Sequence, residues 1–171
     1  MSTGKKKSAA GKAAGGARDA QGDATALLAR DHAEVRKLFK QYDKLAEQDA
    51  GGDERQALAE RICTMLTAHA TIEEEIFYPA ARDAGVEADL LDEAEVEHAS
   101  AKDLIAQIGS MSPDDELYDA KVKVLGEYVD HHVQEEEGEL FPQCRDSDMD
   151  LAGLAQALAE RKSELMAETP A

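Results

Sequence analysis

From Asp23 onward, apolar residues recur at steps of three and four, the spacing of a helix with one buried face. Leu27, Leu28, Val35, Leu38, Phe39, Tyr42 and Leu45 form the first stripe, with Asp31 and His32 inside it and Asp23 as N-cap, and predict a helix over residues 24–48. The run Gln48-Asp49-Ala50-Gly51-Gly52-Asp53 stops it and begins a second helix, whose stripe is Leu58, Ile62, Met65, Leu66, His69, Ile72, Ile76 and Phe77. Pro79 is expected to end or kink that helix near Phe77. A third helix is predicted over residues 88–109, with Leu90, Leu91, Ala94, Val96, His98, Ala101, Leu104, Ile105 and Ile108 facing inward. Ser112-Pro113-Asp114-Asp115 reads as the start of a fourth, with Ser as N-cap, Pro at the first helical position and acids in the first turn. Its stripe runs through Leu117, Val122, Val124, Leu125, Tyr128, Val129, His132, Glu136 and Leu140 and ends near Pro142 to Cys144. A last amphipathic piece, Leu151 to Leu165, predicts a fifth helix.

The pattern repeats itself. His69-Ala70-Thr71-Ile72-Glu73 leads to Phe77-Tyr78-Pro79, and His132-Val133-Gln134-Glu135-Glu136 leads to Leu140-Phe141-Pro142. Upstream, Asp31-His32-Ala33 aligns with Glu97-His98-Ala99. Each half is therefore a helical hairpin with one histidine on its first helix and His-x-x-x-Glu on its second. Two such hairpins with short connections make an up-down antiparallel four-helix bundle, all-α, with an extra C-terminal helix. On a helix, residues four apart project from the same face, so His69 with Glu73 and His132 with Glu136 aim at common points. A carboxylate inside a bundle costs several kcal/mol unless something offsets its charge, and a bound cation does so. One histidine on an apolar face is an ordinary core residue; four in two-fold register, two with a carboxylate one turn later, are a metal-site pattern. His131 points about 100° away from His132 and is read as a surface residue or as one that supports the site from outside. The rival frame His131/Glu135 loses because the Phe-Pro ending sets the register at His132/Glu136. The remaining acids of the runs 73–75 and 135–137 are read as solvated face.

Composition sharpens this picture without changing it. The 171 residues are 43% hydrophobic with no Trp and four Pro, enough for one domain with a real core and of all-helical make-up. The net charge is −18. Residues 1–18 hold five basic side chains and no acid, leaving fourteen basic against thirty-seven acidic side chains in the rest. An acidic bundle repels nucleic acid and anionic membrane, so nucleic-acid contact is expected only, and weakly, through the basic tail. The expected organisation is a disordered Lys/Ala/Gly-rich tail over residues 1–22, the bundle over 23–147 and the C-terminal helix over 148–171. No apolar run is long enough for a signal peptide or a membrane span, which makes the cytoplasm the expected compartment. Cys63 and Cys144 have no CxxC spacing and are read as reduced thiols.

His32, His69-x-x-x-Glu73, His98 and His132-x-x-x-Glu136 together resemble the hemerythrin-like family, also called HHE cation-binding domains, over about residues 23–145. The resemblance implies an up-down bundle around two iron ions joined by an oxo or hydroxo group. By position, His32 and His69 would ligate one iron and His98 and His132 the other, with Glu73 and Glu136 bridging. The oxygen carriers of the family add a fifth histidine one turn from the third-helix ligand. Here the positions four residues either side of His98 are Ala94 and Lys102, which argues against reversible oxygen carriage. Glu95 and Tyr128 are candidates for the missing donor, against the plainer reading in which Glu95 is exposed and Tyr128 packs in the core. A ferritin-like site would need Glu-x-x-His on two helices, and only Glu95-x-x-His98 matches. The implied function is a di-iron protein that binds O2, peroxide or NO in oxidative or nitrosative stress. Two alternatives stand beside it: an iron or oxygen sensor read by a partner protein, and a catalase-like enzyme that disproportionates peroxide.

Overall fold

The computed structural model describes residues 22–169. The basic stretch before residue 22 lies outside the described residues. Among the described residues seven α-helices succeed one another: α1 (Ala24–Glu47), α2 (Gly52–Ile72), α3 (Tyr78–Asp83), α4 (Ala88–Gly109), α5 (Tyr118–Glu135), α6 (Phe141–Asp146) and α7 (Leu151–Glu168). Asp23 caps α1, its carboxylate accepting from Ala26 N at 3.0 Å. α1, α2, α4 and α5 form an antiparallel bundle in which α1 packs on α2 and α5, and α4 on α2 and α5. The additional helix α7 lies across α1 and α2.

The prolines do not end the helices they interrupt. Glu73–Phe77 and Glu136–Leu140 are single π-turns that carry α2 into α3 and α5 into α6. A proline has no N–H, and its ring collides with the carbonyl four residues back. Widening the turn by one residue removes that collision, and the preceding residue closes the wide ring: Tyr78 N donates to Glu73 O, and Phe141 N to Glu136 O. The chain finally leaves α3 at Gly85, whose φ of +78° suits a residue without Cβ. Val86 N then reaches back to Ala81 O at 3.1 Å, a Schellman closure.

The fourth bundle helix starts later than Ser112 suggests. Ser112 and Asp115 do make local side-chain bonds, Asp115 Oδ2 accepting from Ser112 N at 2.9 Å and Ser112 Oγ accepting from Asp114 N at 3.3 Å. They close an isolated turn, and the helix begins only at Tyr118. Arg55 of α2 holds this turn, donating to Pro113 O at 3.1 Å and to Asp119 at 2.8 Å. Leu117 and Val96, expected inside, are exposed.

Two apolar clusters fill the bundle. One gathers Leu28, Ile72, Phe77, Ala81, Leu91, Leu140, Phe141 and Leu158 at the end near the π-turns. The other gathers Val35, Leu38, Tyr42, Ile62, Ile108, Tyr118, Val122 and Leu125 at the opposite end. Between them the chain buries His32, His69, Glu73, His98, His132 and Glu136. No described helix is long and apolar enough to cross a membrane.

Candidate metal centre

The six side chains selected from the sequence meet in one layer across the bundle. α1 and α4 each supply a histidine; α2 and α5 each supply a histidine with a glutamate one turn on, at the first position of a π-turn. On one side His32 Nε2 and His69 Nε2 stand 3.1 Å apart, and on the other His98 Nε2 and His132 Nε2 do the same. The carboxylates span the two sides. Glu73 Oε1 lies 3.0 Å from His69 and Oε2 3.1 Å from His98. Glu136 Oε2 lies 3.2 Å from His32 and Oε1 3.4 Å from His132.

Every one of the four histidines has a carboxylate on its outer nitrogen. His69 Nδ1 faces Asp31 at 3.1 Å and His132 Nδ1 faces Glu97 at 2.5 Å, each acid sitting on the first helix of the same hairpin. His98 Nδ1 faces Glu74 and His32 Nδ1 faces Glu137, both at 2.9 Å and both crossing between hairpins. An imidazole that donates Nδ1–H to a carboxylate turns its Nε2 lone pair inward. The interior of the layer is thus a set of lone pairs facing one another. Glu73 Oε1 and Glu136 Oε2 have no hydrogen-bond partner besides these inward-facing imidazoles.

Lone pairs this close repel unless protons or cations lie between them. Without metal, protons take that place. Burial opposes a charge on His69, yet the Glu73 carboxylate and the Asp31 hydrogen bond raise it to about 10. Burial likewise opposes the charge on His132, and Glu136 and Glu97 lift it well above its ordinary value. Burial works against the charged form of Glu136 too, but His132 and His32 hold it well below the usual carboxylate range. With metal, the spacing fits equally well: donors about 2.1 Å from an ion and at right angles stand about 3 Å apart. The residues present therefore suit a pair of cations, with imidazole and carboxylate donors of the kind that take iron, manganese or zinc.

One participant was missed from the sequence. Tyr78 is buried, and its hydroxyl donates to Glu136 Oε1 at 2.6 Å and lies 3.2 Å from Glu73 Oε2, 3.3 Å from His98 Nε2 and 3.4 Å from His132 Nε2. Burial first, then Glu136 and Glu73, raise its phenol well above 10. In an α-helix Tyr78 would sit well round the helix from Glu73; the wide turn brings it back over Glu73. The matching position in the other hairpin is Phe141, which stacks on His32 at 5.8 Å.

Tyr128 and Glu95 supply no donor. Glu95 is exposed and pairs with Arg82 at 3.0 Å, and Tyr128 is 49% exposed. His131 is also outside, 67% exposed, beside Glu97 and Glu135. Glu74 and Glu137, expected to be solvated face, instead hold His98 and His32. The signal for the four outer carboxylates was visible as an acid directly before His32 and His98 and directly after Glu73 and Glu136, the same in both halves.

Beside the layer lies a cavity of about 50 Å³ with mostly apolar walls, among them Val35, Leu66, Ile105, Val129 and Val133, reaching all four histidines. Tyr128 and Lys102 also line it.

Residues 23–144 match the family described as the hemerythrin HHE cation binding domain. A protein of Nostoc sp. described as a DNA nickase is 32% identical over 121 residues, which is 71% of this chain and 33% of the relative. The chain thus spans about a third of that relative's length. A crystal structure of a hemerythrin HHE cation binding domain-containing protein from Mycobacterium kansasii superposes with a TM-score of 0.69 at 22% identity, over 85% of this chain and 88% of the other. That likeness is one of fold.

Proposed function

Because the chain belongs to the hemerythrin HHE cation-binding family, we propose that its buried layer holds two iron ions and offers them to O2, peroxide or NO. His32 and His69 would hold one ion and His98 and His132 the other, with Glu73 and Glu136 shared by their two oxygens. Bound there, iron would supply redox chemistry and open positions for a small ligand. The observation that carries the small-ligand reading is the apolar cavity against the four histidines. Its size of about 50 Å³ admits a diatomic molecule or peroxide, whereas a single water needs about 10–15 Å³ by that measure.

The chain's own groups have roles set by their placement. The four outer carboxylates hold the imidazoles in one tautomer with Nε2 inward. Val35, Leu66, Ile105, Val129 and Val133 keep bulk water from the ligand's side of the layer. Tyr78 holds a proton at its hydroxyl, donated to Glu136 with Glu73 Oε2 3.2 Å away. It offers an oxygen donor or a proton on the side where His98 has no second histidine one turn away. This proton favours the peroxide-consuming version, in which two peroxides yield one O2 and two waters and protons must move between oxygens. DNA nicking is not proposed: outside residues 1–18 the chain is strongly acidic, and such a surface repels a polyanion.

Metal analysis of protein from iron-replete cells, with an optical spectrum, tests the reading. About two irons per chain with ligand-to-metal bands in the near ultraviolet are expected. Less than one iron per chain and a featureless spectrum would sink it. Tyr78→Phe separates carriage from turnover, since loss of the phenol should leave iron bound and lower the rate of peroxide loss by about 10²-fold.

A further inference from the structure

α7 lies beyond the residues that match the family, yet one of its side chains joins the hydrogen-bond chain of a layer histidine. Lys162 pairs with Asp31 Oδ1, and Asp31 Oδ2 faces His69 Nδ1 at 3.1 Å. The pair is shielded, with the Asp31 side chain 12% and Lys162 28% exposed. The other three outer carboxylates meet different groups. Glu74 has Lys102 of α4 at 2.6 Å, and Glu97 has His131 of α5 at 3.5 Å. Among the described residues Glu137 pairs with no lysine or arginine. Of the four, and among the described residues, the chain through Asp31 alone leaves the four-helix bundle.

We propose that Lys162 is a positioning residue: from a helix outside the bundle it fixes Asp31 on His69, and so makes the His32/His69 side of the layer hold its cation differently from the His98/His132 side. A carboxylate with one oxygen on an ammonium and the other on an imidazole nitrogen is locked in one rotamer. Released from Lys162, Asp31 is free to turn toward water and leave Nδ1, and His69 loses the partner that orients its Nε2 inward. Partners of this kind tune metal affinity by about 10–100-fold when removed. Lys162 stands one bond further out, which puts its effect at the lower end, about tenfold. The neighbouring Arg161 serves as an internal control. It pins α7 to Glu75 at 2.7 Å on the exposed surface, and neither side chain is hydrogen-bonded to a layer histidine.

This inference rests on the metal-binding reading, and its test has one arm that does not. In the first arm the full chain is loaded with iron or zinc and stripped by a chelator while metal release is followed. Lys162→Met should speed release of one of the two ions about tenfold and leave the other alone. Lys162→Arg should restore the slow phase, and Arg161→Met should change neither. Equal acceleration of both ions, or the same effect from Arg161→Met, would show that α7 acts only as a cover and would overturn the proposal. Should Lys162→Met unfold, Lys162→Gln takes its place. The second arm uses metal-free protein and the NMR resonances of the imidazoles. Lys162→Met should move the His69 ring signals and leave those of His132, which Glu97 holds. Unmoved His69 signals overturn the proposal. A wild-type chain that takes up no metal defeats the metal-binding reading, and the NMR arm still decides whether Lys162 positions His69.

Discussion

His69 is held in a charged state by the same groups that would hold a metal. In the metal-free layer, burial disfavours its charge, but Glu73, Asp31 and Glu136 raise it from 6.5 to about 10. A histidine raised in this way stabilises the metal-free fold fully below its unfolded value of 6.5, and that contribution is lost as pH rises through about 10. A metal needs the neutral imidazole, so loading must expel the proton from His69, and that from His132 as well. Metal uptake near pH 7 in weakly buffered solution is therefore expected to acidify it, read with an indicator dye, and metal affinity is expected to fall as pH drops. Uptake with no proton release would mean that the ions bind somewhere other than these nitrogens. Tyr78 is the residue whose chemistry most distinguishes the two halves. Where it stands against both carboxylates, the other hairpin has Phe141 stacked on His32, so a two-fold backbone encloses an uneven site.

The π-turns are the elements that build this site. Each begins at a layer glutamate and ends just before a Phe-Pro or Tyr-Pro step. The added residue rotates the downstream helix by about 100° relative to an unbroken α-helix. Phe77 and Tyr78, and Leu140 and Phe141, are thereby all buried. Gly138 belongs to the second wide turn, and a Cβ added to it would meet nothing within 4 Å, so neighbouring side chains place no demand on this residue. Deleting Gly138 should still be costly. It removes the wide turn, drives the Pro142 ring into a carbonyl at about 3 kcal/mol and swings Phe141 off His32. Thermal melting and metal content would read it, with both expected to fall. Unchanged values would show that the widened turn is incidental. Gly138→Ala, which keeps the residue count, should leave both nearly as they are.

At the scale of the molecule, two apolar clusters are separated by a charged layer that contributes little to stability on its own. Buried ionic groups roughly break even against their desolvation, so the metal-free bundle depends on its two ends. Those ends are tied independently, one by α7 through Leu158, the other by the Tyr42–Asp119 hydrogen bond at 2.6 Å and the Arg55–Asp119 pair at 2.8 Å. A cation that binds only the folded state at a thousand times its dissociation constant adds about 4 kcal/mol. For a chain of this size that is roughly 10 °C in melting temperature. Calorimetry of loaded and stripped protein should show that difference with the helix content kept on stripping. Collapse of helicity on stripping would instead favour the sensing alternative, in which occupancy orders the bundle.

The helices and the six-residue layer were legible because both depend on local periodicity. Apolar steps of three and four mark a buried face, and His-x-x-x-Glu on one face needs no knowledge of a partner beyond the repeat of the same grammar 63 residues on. Residues 1–21 lie outside the described structure. The misreadings have one origin. Pro79 reads as an end or a kink near Phe77; which of the two occurs, here a wide turn that carries the helix on and swings Tyr78 onto the layer, answers to packing at the bundle end. Val96 and Leu117 fit an inward stripe by type, yet lie where no described helix covers them. Glu74 and Glu137 resemble any solvated acid run until the opposite hairpin brings His98 and His32 within 2.9 Å. Lys162 gains meaning only when a helix 131 residues downstream folds back over Asp31. A chain's own order specifies which faces are apolar and which donors share a face. Which acid meets which imidazole, and where a small molecule can stand beside them, depends on side chains far apart in that order, and so on how the helices pack.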